Sequence, residues 1–114
     1  MPLSGRSILL VEDEKLIAMD VTATLSDAGA LVTTANTLKQ ALEFARKQRF
    51  SCAVLDHSLP DGDSDPLCEE LAAHGTPFIV YTGRSHIGGA CATGKIVGKP
   101  VGPNELVDAI RSLC

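Results

Sequence analysis

The amino-acid sequence predicts an α/β fold: a doubly wound, five-stranded parallel sheet covered by helices on both faces. Three observations carry that expectation. Apolar runs of strand length alternate with stretches of helical period along all 114 residues. The strongest runs, Ile8–Val11 and Cys52–Leu55, are continuously apolar, as strands buried on both faces must be. Polar residues then follow the runs at their carboxyl ends, the edge of an open parallel sheet where ligands bind.

The first strand, Ile8–Val11, ends abruptly in Glu12-Asp13-Glu14. Leu16, Ile17, Val21, Leu25 and Ala28 recur at helical steps and give a first helix its buried face, and Gly29 stands where that helix stops. Leu31–Ala35 is β-branched but rich in threonine, which suits an edge strand. Thr37-x-x-Gln40 is a capping box, and Leu38, Ala41, Leu42 and Ala45 share one face of the second helix behind it. Asp56 closes the third strand. His57 to Ser64 carries the turn formers of a loop, and Asp65-Pro66 supplies an N-cap and a first-position proline for a third helix ending near His74-Gly75. Pro77–Thr82 is a fourth strand. Gly83, Gly88, Gly89 and Gly94 leave room for only one short, frayed helical turn in the next segment. Lys95–Val97 is the fifth strand, and Pro103 opens a last helix that buries Leu106, Val107, Ile110 and Leu113.

The length fits one domain spanning residues 1–114, and 45% hydrophobic residues are enough for its core. Ten Lys and Arg against fourteen Asp and Glu give a net charge of −4. No basic stripe is available to neutralise phosphates, which argues against direct contact with nucleic acid. The start has no apolar signal core and no stretch reaches membrane-spanning length, so no membrane partner is expected. The four cysteines lack metal-knuckle spacing and read as reduced thiols of a cytoplasmic protein.

The strand ends bring together Glu12 and Asp13, Asp56, Thr82 and Lys99. Three carboxylates pressed together repel unless a cation sits among them. A hard divalent ion with oxygen ligands, Mg²⁺ first of all, resolves that repulsion and keeps water positions for an incoming phosphate. Lys99 offers a point charge that can pair with Asp56 and then with a phosphoryl oxygen, and Thr82 adds a hydroxyl donor. A carboxylate so placed can attack phosphorus to form an acyl phosphate, which makes Asp56 the expected nucleophile. Taken singly, each acid reads as a helix cap; their convergence on one edge of one sheet points to a site.

The sequence resembles the receiver domain of two-component response regulators through Ile8-Leu-Leu-Val-Glu-Asp-Glu14, Val54-Leu-Asp-His-Ser-Leu-Pro-Asp-Gly62, Tyr81-Thr-Gly83 and Gly98-Lys-Pro100. The resemblance implies a flavodoxin-like sheet of strand order 2-1-3-4-5. It implies that Asp56 is phosphorylated by a sensor histidine kinase or a histidine phosphotransfer protein, and that the domain acts on a downstream protein of unknown identity. Asp13 and Asp56 would ligate Mg²⁺, with Glu12 acting through water and the Ser58 carbonyl as a further ligand. Thr82 and Lys99 would read the phosphate, the Lys99-Pro100 bond would be cis, and Ser58, Gly83 and Arg84 would set the lifetime of the acyl phosphate. No catalysis beyond self-phosphorylation and self-dephosphorylation is implied.

Two departures stand out. Glu12 replaces the usual first aspartate, and Ile96 occupies the position of the aromatic switch that partners Thr82. With its short fourth-helix region the chain is similar to divergent alphaproteobacterial single-domain receivers, and phosphorylation is expected to change the order of Gly83–Gly94 in place of rotating a ring. The alternatives are a pseudo-receiver that only binds proteins and an aspartyl-phosphate hydrolase; Ser58 stands where the latter needs a second acid.

Other signals carry less. Gly89-x-x-x-x-Gly94-Lys95 mimics a P-loop but runs into a strand. Asp61, Asp63 and Asp65 mimic a calcium loop that Pro66 and the absent downstream glycine and glutamate break, and capping and turn formation explain them. His57, His74 and His86 fall on separate segments without ligand spacing, though His57 adjoins Asp56.

Overall fold

Side chains alternate along β1 (Ser7–Val11), and that alternation builds the two layers of the molecule. Leu9 and Val11 join Ala53, Leu55, Phe78 and Val80 in one core cluster, whereas Ile8 and Leu10 join Val54, Ile79 and Tyr81 in the other. The computed structural model describes residues 3–56, 58–82, 89–98 and 102–113, with the side chains of Ser58, Thr82, Ala90 and Pro103 left aside.

After β1 come α1 (Lys15–Asp27), β2 (Leu31–Ala35), α2 (Leu38–Lys47) and β3 (Cys52–Asp56). A small hairpin of β4 (Ser58–Leu59) and β5 (Gly62–Asp63) leads into α3 (Asp65–Ala73), then β6 (Phe78–Thr82), a 3₁₀ helix (Gly89–Thr93), β7 (Lys95–Gly98) and α4 (Pro103–Leu113). The main sheet has the order β2-β1-β3-β6-β7 and is parallel throughout. Counting only its five strands, this is the flavodoxin-like order 2-1-3-4-5. Helices α2 and α3 bury Ala41, Ala45, Leu67, Cys68 and Leu71 on one face; α1 and α4 bury Val21, Leu25, Leu106 and Ile110 on the other. Among the described residues no helix is long and apolar enough to cross a membrane.

The capping box forms in a shifted version. The Thr37 hydroxyl accepts from the Gln40 amide at 3.1 Å, and Gln40 Oε1 accepts from the amide of Asn36, one residue before the cap, at 2.9 Å.

Several expectations need correction. Leu16 is 81% exposed, and Ala18 takes its place on the buried face of α1, because the helix is rotated so that Ala18, Val21 and Leu25 line the sheet. The N-cap of α3 is Ser64 and not Asp65; Pro66 therefore sits one position deeper in the first turn. Residues 58–63 form a hairpin where a plain loop is expected. Cys68 and Cys91 are joined in a disulfide, against the expectation of reduced thiols: α3 and the 3₁₀ helix bring their Cα atoms to 5.1 Å, within bridging distance. The segment Gly83–Gly94 does hold one short helical turn in its described part, 89–93.

Candidate functional site

Parallel register sets the acidic residues side by side. Val11 pairs with Leu55 and Asp56 pairs with Tyr81, so Glu12, Asp56 and Tyr81 stand level across three adjacent strands at the carboxyl edge. The Glu12 amide continues the ladder by donating to Ala35 O at 3.0 Å. Period-two alternation turns Glu12 to the same face as Ile8 and Leu10, and Tyr81 to the same face as Ile79.

Glu12 is 1% exposed and still charge-bearing chemistry, so its oxygens need donors. Its Oε1 accepts from the Glu14 amide at 2.9 Å, and its Oε2 accepts from the Tyr81 hydroxyl, which reaches across β3 to meet it. Burial first, then the hydrogen bond to Glu12 and the negative charges of Glu12, Asp56 and Asp13, hold the Tyr81 phenol far above its ordinary pKa. Tyr81 is therefore a fixed neutral donor among acids.

Glu12, Asp13 and Asp56 each place one carboxylate oxygen within 4.8 Å of the others. Glu12 is buried, Asp56 half-buried and Asp13 exposed, so the cluster opens to solvent on the Asp13 side. An all-oxygen donor set with an open side fits a hard divalent cation that retains water. A groove runs from Glu12 and Asp13 past Met19 and Thr22 to Thr34 and Asn36.

The loop that follows Asp56 is held from two sides. Ser64 Oγ donates to the Asp56 carbonyl at 2.5 Å, which returns the end of the loop to the end of β3. Asp61 reaches out to cap α2: its Oδ1 accepts from the Leu38 amide at 2.8 Å and its Oδ2 from the Lys39 amide at 3.1 Å. Those amides, Leu38 first, draw the Asp61 carboxyl below its ordinary pKa. Asp63 accepts from the Asp65 amide at 3.1 Å, so the acids of the calcium-loop mimic serve as turn and helix caps. His74 is within 3.4 Å of Glu70, a salt-bridge partner of Arg46 on α2.

Of the residues expected at the site, Glu12, Asp13 and Asp56 converge. Thr82 ends β6 and Ser58 opens β4. Ile96 lies on β7, 43% exposed. Lys99, Pro100, Gly83, Arg84, His57 and His86 lie outside the described residues. Sequence reasoning missed Tyr81 and Ser64 as supports, whereas the capping role expected of Asp61 is the one it has. Tyr81 had one visible signal: a lone phenol in an otherwise aliphatic buried strand must find a polar partner.

The family model for the response regulator receiver domain matches residues 8–111. The chain belongs to that family. Receiver domains are the phosphoacceptor modules of two-component systems, and this one is homologous to such regulators. It is 33% identical over 122 residues to the transcriptional regulatory protein GltR of Pseudomonas aeruginosa, covering 99% of this chain and 50% of that one. It is 32% identical over 114 residues to the transcriptional regulatory protein CreB of Escherichia coli, covering 94% and 50%. The receiver thus spans about half the length of the curated relatives it matches. Among solved structures, the receiver domain of the Pseudomonas aeruginosa sensor histidine kinase PA1611, which has magnesium coordinated in its active-site cleft, superposes with a TM-score of 0.86 at 27% identity, covering 96% of this chain and 98% of that one. A CheY-like receiver from Methanospirillum hungatei gives a TM-score of 0.83 at 25% identity, with 94% and 91% covered.

Proposed function

We propose that this chain, as one receiver domain over residues 1–114, is a phosphorylation switch in which Asp56 takes a phosphoryl group from a phosphohistidine. The observation that supports it most is the meeting of Glu12, Asp13 and Asp56 at the carboxyl edge of the sheet in a member of this family. The donor is a sensor histidine kinase or a histidine phosphotransfer protein. An Asp56 oxygen forms the new bond to phosphorus as the phosphorus–nitrogen bond breaks, and the leaving imidazole takes up a proton.

Asp13, Asp56 and the Ser58 carbonyl would hold Mg²⁺, with Glu12 acting through water; when bound, the ion supplies positive charge against the phosphoryl oxygens. Tyr81 and the Glu14 amide keep Glu12 aimed, and Ser64 keeps the end of β3 in place. Lys99 and Thr82 read the bound phosphate, Thr82 and Ile96 carry the switch, and Ser58, Gly83 and Arg84 set its lifetime. The chemistry stops at self-phosphorylation from small donors and self-dephosphorylation, the readout is a protein contact, and the setting is the cytoplasm.

Intact-mass measurement after incubation with acetyl phosphate and Mg²⁺ tests the reading. The expected gain is one phosphoryl group, lost with a chelator and lost in Asp56→Asn. No gain in the unaltered protein would overturn it.

A further inference from the structure

We propose that Cys68 and Cys91 are a reversible dithiol–disulfide pair that gives this receiver a second, redox input. The proposal rests on the phosphoacceptor reading above. Cys68 lies on α3 and Cys91 on the 3₁₀ helix, 23 residues apart in sequence, and both are fully buried. Their Cα separation of 5.1 Å lies within the range of ordinary disulfides, so the bond closes and opens without moving either backbone far.

The position of the bridge couples it to the site. On one side, α3 follows the loop that carries Asp56, and Ser64 at its N-cap is bonded to the Asp56 carbonyl. On the other side, the 3₁₀ helix runs through Gly94 into β7, the strand that ends one residue before Lys99. The bridge therefore ties the phosphoacceptor half of the sheet edge to the half that leads to the phosphate-reading lysine.

The Cys91 amide donates to Asp65 Oδ1 over a long 3.4 Å. Gly89, at φ +68°, approaches Asp65 so closely that a Cβ would fall 2.6 Å from its Oδ2. A single 3₁₀ turn has weak internal hydrogen bonds, and Gly89, Ala92 and Thr93 are exposed around the buried sulfur. Local opening of this turn brings the bond to an incoming thiolate.

The exchange balances with a dithiol reductant. One thiolate of the reductant attacks a bridge sulfur and its second resolves the mixed disulfide; the reductant leaves as a disulfide, and Cys68 and Cys91 take up two protons and two electrons. A glutathione-type disulfide reverses the step. In a reducing compartment a persistent structural disulfide is rare, whereas transient sensing pairs occur. The bridged form holds residues 89–93 against α3 and resists the rearrangement that a phosphorylated Asp56 requires; the dithiol form releases it.

The test uses the full chain with Cys114→Ser to prevent intermolecular pairing, after treatment with oxidised glutathione or with dithiothreitol. Alkylation and intact mass should show two fewer free thiols in the oxidised protein, and neither Cys68→Ala nor Cys91→Ala should show that loss. Beryllofluoride with Mg²⁺, a mimic of the phosphoryl group, should bind about fivefold more weakly to the oxidised form. In each alanine variant, binding should be the same under both treatments. Thiols that fail to pair, equal affinities in the two forms, or variants that still respond would each overturn the proposal. If neither form binds beryllofluoride, the phosphoacceptor reading fails instead. The pair is then judged by hydrogen exchange at 89–93, where equal protection in both redox forms overturns the redox input as well.

Discussion

The two sides of the sheet edge are built by different physics. On the β1–β3 side, Glu12 and Asp56 extend strands whose every preceding residue from Ile8 and Cys52 onward is buried, so their positions are set by a packed parallel ladder. On the β7 side the strand is largely exposed, it follows a 3₁₀ turn, and a disulfide with two close glycine approaches holds that turn. The acids that would collect the metal stand on the rigid side. The segment that would report the phosphate stands on the solvent-exposed side, next to a single 3₁₀ turn, where a small change in free energy can alter structure.

Removing the acids should have the largest effect. Glu12→Gln combined with Asp13→Asn should weaken Mg²⁺ binding about 100-fold or more, since loss of an outer partner alone costs 10–100-fold. Calorimetric titration reads this. The melting temperature without metal should hold or rise, because two like charges are gone. A melt that collapses would show that the acids hold the fold and not an ion.

Tyr81→Phe keeps the ring and deletes the donor to a buried carboxylate. We expect about tenfold weaker Mg²⁺ binding and a loss of about 1–3 kcal/mol in urea unfolding. Unchanged metal affinity would confine Tyr81 to packing.

Gly94→Ala attacks the other side. Its Cβ would overlap the Phe78 ring and lie 2.9 Å from the Phe78 carbonyl oxygen. The expected cost is about 1–3 kcal/mol of stability with Mg²⁺ affinity intact. Equal damage to both would erase the distinction between the two sides.

Asp61→Asn should have the smallest effect. The amides of Leu38 and Lys39 depress the Asp61 pKa in the folded state. The folded form therefore binds fewer protons, and Asp61 adds stability that is present above the unfolded pKa of about 4 and is lost as pH falls through the lower folded value. Thermal melts across that acid window should be flatter for the variant, with a modest deficit at neutral pH. Parallel curves would remove Asp61 from the account.

Much of this was legible in the sequence. Ile8–Val11 and Cys52–Leu55 show buried strands, Gly29 marks the end of α1, and the strand-end rule brings Glu12, Asp13 and Asp56 together before any coordinates. What stayed hidden depends on contacts across elements. Leu16 fits the helical period but lies on the wrong side of a helix whose rotation is fixed by packing of Ala18, Val21 and Leu25. The Tyr81–Glu12 bond spans three strands, and its register follows from the whole sheet. Cys68 and Cys91 lie on segments whose approach depends on how residues 89–93 pack against α3, which no local pattern encodes.

The claim at the centre is that the strand-fixed acids make Asp56 the metal-dependent phosphoacceptor. Borohydride reduction of the protein after exposure to acetyl phosphate and Mg²⁺ converts an aspartyl phosphate to homoserine, and peptide mapping then locates it. The account predicts homoserine at position 56 alone, and none when a chelator replaces Mg²⁺. Homoserine at Asp13 or elsewhere, or equal conversion with the chelator, would contradict it.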